Sequence, residues 1–204
     1  MSELIKSIDE YYTQKLKEFG ATARGVDWNS DESQQLRFEK LLTMVDATGP
    51  FSILDYGCGF GSLYLFMSKQ FSHFDYTGFD ISAAMISEAK KAVKKENAHW
   101  VSEVKGEKQF DYVVASGIFN VRLQQSENDW MEYMHQTVTE LNRLSTKGFS
   151  FNVLSRYSDP EKRKEYLYYA EPAYWFDYCK KNFSYQVALL HDYPLYEFTI
   201  HVKK

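Results

Sequence analysis

Hydrophobic positions in the first fifty residues recur at steps of three and four, which predicts two amphipathic helices. The first is expected to end at Gly20, because glycine is favoured just after a helix C-terminus. The second is expected to begin near Asn29, with Glu32 completing a capping box, and to stop at Gly49 and Pro50. The buried stripes are predicted to be Leu4, Ile8, Tyr11, Tyr12, Leu16 and Phe19, then Leu36, Phe38, Leu41, Leu42 and Val45. We expect this N-terminal part to cover a site built by the rest of the chain.

From Phe51 onward, short apolar runs alternate with helical patterns, which predicts a mostly parallel sheet with helices on both faces. The predicted strands cover residues 51–56, 75–80, 98–102, 110–115, 148–154, 185–191 and 195–202. The clearest helix is predicted at 127–146, where Ser126 and Asp129 can form a capping box and Gly148 closes the end.

Two connections between the predicted strands are short. Only a turn around Tyr193 and Pro194 separates the last two strands, so we expect them to form an antiparallel hairpin. Only about six residues (VKGEKQ, 104–109) are available between the third strand and the fourth, whereas a parallel crossover ordinarily takes a dozen or more. We expect a loop without a helix to cross the sheet there.

The stretch Ile53–Leu65, ILDYGCGFGSLYL, joins an apolar run to a helical pattern through glycines at alternate positions. Gly57, Gly59 and Gly61 are expected to form a sharp turn, because glycine permits positive φ and lets backbone approach a ligand closely. Asp80 ends the next apolar run, where a carboxylate can accept hydrogen bonds from both hydroxyls of a ribose. The pattern predicts a cofactor of nucleoside type at the carboxyl ends of the strands.

Two kinds of cofactor compete for this site. A dinucleotide fingerprint has the spacing G-x-G-x-x-G, whereas this chain has G-x-G-x-G. Asp55 lies inside the stretch, and its charge would repel a pyrophosphate but attract the ammonium of an amino-acid moiety. The residues therefore favour S-adenosylmethionine over NAD, and a tight turn without a ligand is the third alternative.

The composition of the chain limits the classes of partner that we expect. The net charge of −4, with acids and bases spread along the chain, shows no basic stripe, so we expect no nucleic-acid partner. No apolar run approaches the roughly 20 residues that span a bilayer, and the N-terminus is acidic, so we expect no membrane association and a cytoplasmic location. The two cysteines fit a reducing compartment, and acids and histidines are not spaced as metal ligands, so no metal is expected.

The chain resembles the class I S-adenosylmethionine-dependent methyltransferases in three motifs, which are ILDYGCGFG at 53–61, GFDIS at 78–82 and FDYVVASGIF at 110–119. The resemblance covers most of the chain from Arg24 onward. It implies an α/β fold with a Rossmann-like, seven-stranded, mostly parallel sheet in the order 3-2-1-4-5-7-6, the last strand antiparallel. We expect a single domain of residues 1–204, in which a helical cover at 1–48 precedes the Rossmann-like core at 49–204.

The same resemblance implies which residues bind S-adenosylmethionine. At the methionine end it assigns Arg24 to the carboxylate, Trp28 to the pocket wall, Asp55, Gly57 and Gly59 to the amino-acid part, and Ala115 and Ser116 to the sulfonium. It assigns Asp80 to the ribose. Ile81 and Met85 are assigned to the face of adenine, and Ser102 or Glu103 to the adenine amine.

The methyl acceptor is expected beside stretches 116–122, 155–171 and 191–193. Asn120 can orient it, or can simply cap the next turn. His191 can serve as a general base near neutral pH, or can be a surface histidine bonded to Asp192.

Aromatic residues make up 17% of the chain, and twelve of them lie between Tyr166 and Phe198. Most are expected in the core, while Tyr168, Tyr169, Glu171 and Tyr193 are the predicted substrate neighbours. A carboxylate among tyrosines can bind an amine, and aromatic faces attract cations.

These observations predict a methyltransferase that acts on a nitrogen or oxygen of a small molecule by in-line transfer, where positioning supplies most of the rate. Two alternatives stay open at this point. One is a catalytically silent protein that binds S-adenosylmethionine or S-adenosylhomocysteine, and the other is an NAD-dependent oxidoreductase. The sequence leaves the oligomeric state open between monomer and homodimer.

Overall fold

The computed structural model describes residues 3–26 and 30–204, apart from the side chains of Ala23 and Arg24. The strands are β1 (Phe51–Tyr56), β2 (Phe74–Phe79), β3 (Ala98–Val101), β4 (Phe110–Ala115), β5 (Ser145–Leu154), β6 (Gln186–Leu190) and β7 (Glu197–Lys203). The α-helices are α1 (Glu3–Phe19), α2 (Asp31–Leu42), α3 (Ser62–Met67), α4 (Ala83–Ala92), α5 (Glu127–Leu144) and α6 (Pro172–Asn182). Short 3₁₀ helices occupy Ala23–Val26 and Pro160–Lys162.

All seven strands join one sheet in the order β3-β2-β1-β4-β5-β7-β6, which confirms the predicted topology. The pairings from β3 through β5 are parallel, and β7 runs antiparallel to both β5 and β6. The order reverses between β1 and β4, and ligands bind at such a point in open parallel sheets. Residues 102–109 connect β3 to β4 without a helix, as the short spacing predicts.

Two apolar layers cover the faces of the sheet. Along β5, Phe149 and Phe151 face one layer, which also contains the fully buried Trp130 of α5 and Trp175 of α6. On the other face, the hydroxyl of Ser150 donates to a backbone carbonyl of α2, and a second cluster packs there around α2 and α3. Successive side chains of β5 therefore point alternately into the two layers, as the period of two in a strand requires.

The predicted bounds of α2 and α5 need correction. The N-cap of α2 is Ser30, whose hydroxyl accepts from the amide of Ser33 at 3.2 Å, whereas the predicted cap at Asn29 lies outside the described residues. The helix ends at Leu42, before the predicted stop at Gly49, because the chain turns to enter β1. Gly148 lies inside β5 and does not close α5, whose end passes directly into the strand.

Across residues 3–26 and 30–204, none of the helices is long and apolar enough to cross a membrane.

Candidate active site

The glycine turn after β1 is bonded to the end of β2. The amides of Gly57 and Cys58 both donate to the carbonyl of Phe79, at 2.8 and 2.9 Å. Gly57, Gly59 and Gly61 all have positive φ, so the backbone follows a path that other residues rarely adopt. The two hydrogen bonds therefore hold the turn against the end of the neighbouring strand.

Asp80 follows β2 and is oriented by two backbone amides. Its Oδ2 accepts from the amide of Gly59 and its Oδ1 from the amide of Ser82, each at 2.8 Å. Burial raises the pKa of Asp80 to about 6, and the nearby charge of Asp9 also raises it, while both amides oppose the shift. Each carboxylate oxygen can still accept a further hydrogen bond, because an ionised oxygen has more than one acceptor site.

Asp55 lies near the end of β1 and is almost completely buried. The hydroxyl of Tyr76 on β2 donates to its Oδ2 at 2.6 Å. The pKa of Asp55 is raised to about 7, chiefly by burial, while the Tyr76 hydrogen bond opposes the shift and the charge of Asp80 adds to it. A cation bound beside Asp55 would favour its ionised form.

These groups meet in a cleft with an empty volume of about 900 Å³. Its described lining includes seven of the predicted cofactor residues, which are Asp55, Gly57, Gly59, Asp80, Ile81, Met85 and Ser116. Helix α1 closes one side with Ile8, Asp9 and Tyr12, and the hydroxyl of Thr13 lies 3.1 Å from that of Ser82. The N-terminal helix thus forms part of the cleft wall.

The other predicted cofactor residues, including both Ser102 and its alternative Glu103, are not placed in this lining. Ser102 is exposed beyond the end of β3, and Glu103 is exposed beside it. Ala115 is buried at the end of β4, directly before the lining residue Ser116. Trp28 lies outside the described residues, and the structure describes the backbone of Arg24 but not its side chain.

A second cavity adjoins the cleft. Tyr12, Val26 and Gly117 line both spaces. The predicted substrate residues Asn120 and Tyr169 line the second cavity, whose empty volume is about 1020 Å³. The side-chain oxygen of Asn120 accepts from the amide of Leu154 at 3.1 Å, which leaves its NH₂ group as the part that can bind a ligand.

The remaining predicted substrate residues are not among the lining of either cavity. Tyr168 is buried and its hydroxyl lies 2.8 Å from the sulfur of Met131, in the core. Glu171 forms an ion pair with Arg156 at 2.7 Å. Tyr193 is buried, with its hydroxyl 2.9 Å from that of Thr199.

His191 is also absent from the lining of both cavities. It is exposed after β6, and its ring lies 5.9 Å from that of Tyr157 and 6.2 Å from that of Phe198. Its predicted surface partner Asp192 pairs instead with Lys40 at 2.9 Å. A role for His191 as a general base therefore finds no support in the geometry.

Several lining residues were not predicted from the sequence. Asp9, Tyr12 and Tyr133 reach the cleft from helices α1 and α5. Buried Arg37 of α2 lines the second cavity and forms an ion pair with Glu197 of β7. The sequence contains one signal for Arg37, which is that a charged residue lies inside the apolar stripe of α2. A charge that is buried there needs a partner, because an unpaired charge is rarely buried.

The comparisons with known proteins agree with this architecture. Residues 53–143 match the model of a methyltransferase domain family. The candidate methyltransferase Rv1506c of Mycobacterium tuberculosis is 45% identical over 164 residues, which are 80% of this chain and 99% of that protein.

Two solved structures share the fold. The DhpI–SAM–HEP complex superposes with a TM-score of 0.69 at 18% identity, covering 99% of each chain. Magnesium protoporphyrin IX methyltransferase from Synechocystis PCC 6803, with SAM bound, has a TM-score of 0.67 at 13% identity and covers 100% of this chain and 98% of its own. The sheet order and the cleft define a class I methyltransferase, and the chain belongs to the methyltransferase family.

The cofactor of this enzyme is S-adenosylmethionine, and the cleft fits it. Asp9, Asp55 and Asp80 supply negative charge suited to its ammonium and sulfonium groups. The hydroxyl oxygen of Ser116 is buried without a hydrogen-bond partner among the described residues, as expected for a group whose partner is a ligand. Ile81 adds apolar surface for a purine.

No group of three or more His, Cys, Asp or Glu side chains in the described ranges is arranged to hold a metal ion.

Proposed function

We propose that this enzyme methylates an oxygen or nitrogen atom of a small molecule that binds in the second cavity. The observation that carries the proposal is the continuity of the two spaces across Tyr12, Val26 and Gly117. A methyl donor in the cleft and an acceptor in the second cavity would meet at this junction. The relative from Synechocystis is named for magnesium protoporphyrin IX, and this supports a small-molecule acceptor by likeness of fold.

Within this proposal, the cleft residues position the donor. Asp55 pairs with the ammonium group, and Asp80 accepts hydrogen bonds from the ribose hydroxyls with the oxygen lone pairs that the two amides leave. Ser116 offers its unpartnered hydroxyl to the amino-acid end, and Ile81 and Met85 pack against adenine. The glycine turn allows backbone to lie against the ligand without a Cβ between them.

The second cavity orients the acceptor. S-adenosylmethionine supplies a methyl group that is already activated on a sulfonium, so the enzyme mainly has to align the acceptor with it. The amide of Gly117 donates to the side-chain oxygen of buried Asn152 at 2.8 Å, which fixes the backbone at the junction. Asn120 can donate from its NH₂ group, and Tyr169 adds an aromatic wall.

The test is methyl transfer by the purified protein. The protein is incubated with S-adenosylmethionine carrying a labelled methyl group and a panel of phenols, alcohols, carboxylic acids and amines, and labelled products are identified by mass spectrometry. We expect a labelled small-molecule product, and we expect Asn120→Ala to raise KM for it. Binding of S-adenosylhomocysteine without any labelled product would favour the silent binding protein, and binding of NADH alone would contradict the cofactor assignment.

A further inference from the structure

The two adjoining cavities differ in the sign of their charged lining residues. Among the described residues, the cofactor cleft is lined by the three carboxylates Asp9, Asp55 and Asp80 and by no lysine or arginine. The described lining of the second cavity contains Arg37, Lys162 and Lys164 and no aspartate or glutamate, so the charged residues of the two linings are opposite in sign.

The cations of the second cavity lie at different depths. Arg37 is buried, and its ion pair with Glu197 holds the guanidinium in place. Lys162 and Lys164 are exposed, so they line the cavity where it opens to solvent. The ammonium of Lys162 forms an ion pair with Oδ2 of Asp159 at 3.0 Å, whereas the ammonium of Lys164 lies 3.4 Å from the hydroxyl of Tyr166.

Tyrosines surround the two lysines. Tyr166, Tyr169 and Tyr196 all line the cavity, and the hydroxyl of Tyr196 accepts from Lys162 at 2.9 Å. The hydroxyl of Tyr169 accepts from the backbone amide of Lys164 at 2.9 Å, which ties the tyrosine to the lysine-bearing loop. The wall is therefore built from aromatic faces with ammonium groups at its edge.

We propose that the methyl acceptor carries an anionic group, a carboxylate or a phosphate, which binds against Lys162 and Lys164 while its organic part packs on the tyrosines. This inference rests on the proposed function, because it names the class of acceptor for that site. Lysine is a suitable point charge for either anion, and aromatic faces favour an unsaturated or ring-containing body.

The same arrangement disfavours a cationic acceptor. Glu171, the carboxylate predicted to bind an amine, is paired with Arg156 and is not among the described lining residues. An ammonium group in the second cavity would face like charges from the lysines. Those lysines instead favour the ionised form of an acidic group on the acceptor.

The inference is tested with four probes that share one ring and differ in charge, which are benzoate, phenyl phosphate, benzamide and benzylamine. Each is titrated into the full-length protein saturated with S-adenosylhomocysteine, and affinity is measured by ligand-observed NMR. We expect one or both anions to bind at least about tenfold more tightly than benzamide and benzylamine. Preference between benzoate and phenyl phosphate decides which anion the site takes.

Two variants and one control complete the experiment. Lys164→Gln should weaken binding of the preferred anion at least about fivefold, and Lys162→Gln combined with it should weaken binding further. The control Lys69→Gln changes an exposed lysine after α3 that is absent from both linings, and should leave anion affinity unchanged.

Equal or tighter binding of benzylamine, no binding of either anion, or an unchanged affinity in Lys164→Gln would overturn the inference. These outcomes are distinguishable from failure of the proposed function, because that failure is the absence of any labelled product in the methyl-transfer assay, which is measured separately. Loss of S-adenosylhomocysteine binding by the unaltered protein would instead contradict the function on which the inference rests.

Discussion

The backbone amide of Gly59 donates to Oδ2 of Asp80 across 2.8 Å, which joins the glycine turn after β1 to the carboxylate after β2. The amide of Ser82 holds the other oxygen, so the carboxylate cannot rotate without losing a hydrogen bond. The turn and the acid therefore form one preorganised unit, and a change in either should affect cofactor binding.

Substitution of Gly57 by alanine should damage this unit. Gly57 has a φ of 86°, and an added Cβ would lie 2.3 Å from Cγ2 of Ile118. We expect Gly57→Ala to lower the free energy of unfolding by about 1–3 kcal/mol and to weaken the binding of S-adenosylhomocysteine at least about tenfold. Chemical denaturation and calorimetric titration measure the two effects. Gly49→Ala is the matched control, because an added Cβ there meets nothing within 4 Å, and loss of binding in both variants would contradict a local effect.

Cofactor affinity should fall as the solution becomes more acidic. The pKa of Asp55 is raised to about 7 and that of Asp80 to about 6, so at pH 6 Asp55 is largely protonated and Asp80 about half protonated, whereas at pH 8 both are ionised. We expect S-adenosylhomocysteine to bind about tenfold more weakly at the lower pH, because a protonated Asp55 attracts its ammonium less and a protonated Asp80 is a weaker hydrogen-bond acceptor for the ribose. Calorimetry across this range, with Asp55→Asn as a control that flattens the profile, is the measurement. A flat profile in the unaltered protein would count against the carboxylate contacts.

The same two groups should affect folding stability in the opposite sense. A carboxyl whose pKa is raised on folding contributes stability that is present below its unfolded pKa and is lost as pH rises through its folded pKa. Without ligand, the contribution of Asp55 and Asp80 therefore declines between about pH 4 and about pH 7. Acidification should thus weaken cofactor binding without any loss of stability from these two sites, and denaturation of the Asp55→Asn variant should show a smaller decline.

The hydroxyl of Ser116 should contribute to cofactor binding and not to folding stability. Its oxygen is buried without a hydrogen-bond partner among the described residues. We expect Ser116→Ala to leave the free energy of unfolding unchanged or slightly higher, while S-adenosylhomocysteine binds about three- to tenfold more weakly. Ser150→Ala is the matched control, because that hydroxyl donates to Leu41 at 2.9 Å, and its loss should cost about 1 kcal/mol of stability with cofactor affinity retained. The reverse pattern would show that Ser116 is structural.

The buried pair of Arg37 and Glu197 should be costly to break on one side. Arg37→Met leaves Glu197 buried without its cation, and we expect a loss of about 3–5 kcal/mol near pH 8. Burial already raises the pKa of Glu197 to about 7, so part of that stability should return as pH falls and the carboxyl takes up a proton. The double variant Arg37→Met with Glu197→Leu should recover most of the loss. Denaturation curves that match for the single and double variants would contradict this account.

Local patterns along the chain predict the fold well. The bounds of β1 and β4 agree with the apolar runs, and the sheet order agrees with the resemblance. Asp80 could be placed beside the glycine turn because parallel neighbouring strands end at the same edge of a sheet. The errors concentrate at the C-terminal ends of α2 and α5, where each helix ends before the glycine that was predicted to stop it.

Contacts between distant segments were harder to predict. Asp9 enters the cofactor cleft only because α1 packs over it, and its sequence position resembles an ordinary polar face of a helix. Glu171 lies near tyrosines along the chain, yet folding places it against Arg156. Arg37 finds its partner 160 residues away on β7, a pairing that no periodicity encodes. The acceptor cavity is built mainly from such contacts, which is why the donor site was the more predictable of the two.

Binding of S-adenosylmethionine through Asp80 is tested by isothermal titration calorimetry, which measures the affinity of S-adenosylhomocysteine for the unaltered protein, for Asp80→Ala and for Asp75→Ala. Asp75 lies on β2, the strand that Asp80 follows, but is exposed and pairs with His99, so it is the matched control. We predict tight binding to the unaltered protein and to Asp75→Ala, and at least about tenfold weaker binding, about 1.4 kcal/mol, to Asp80→Ala. Equal affinity of all three proteins, or binding of NADH in place of S-adenosylhomocysteine, would contradict the account.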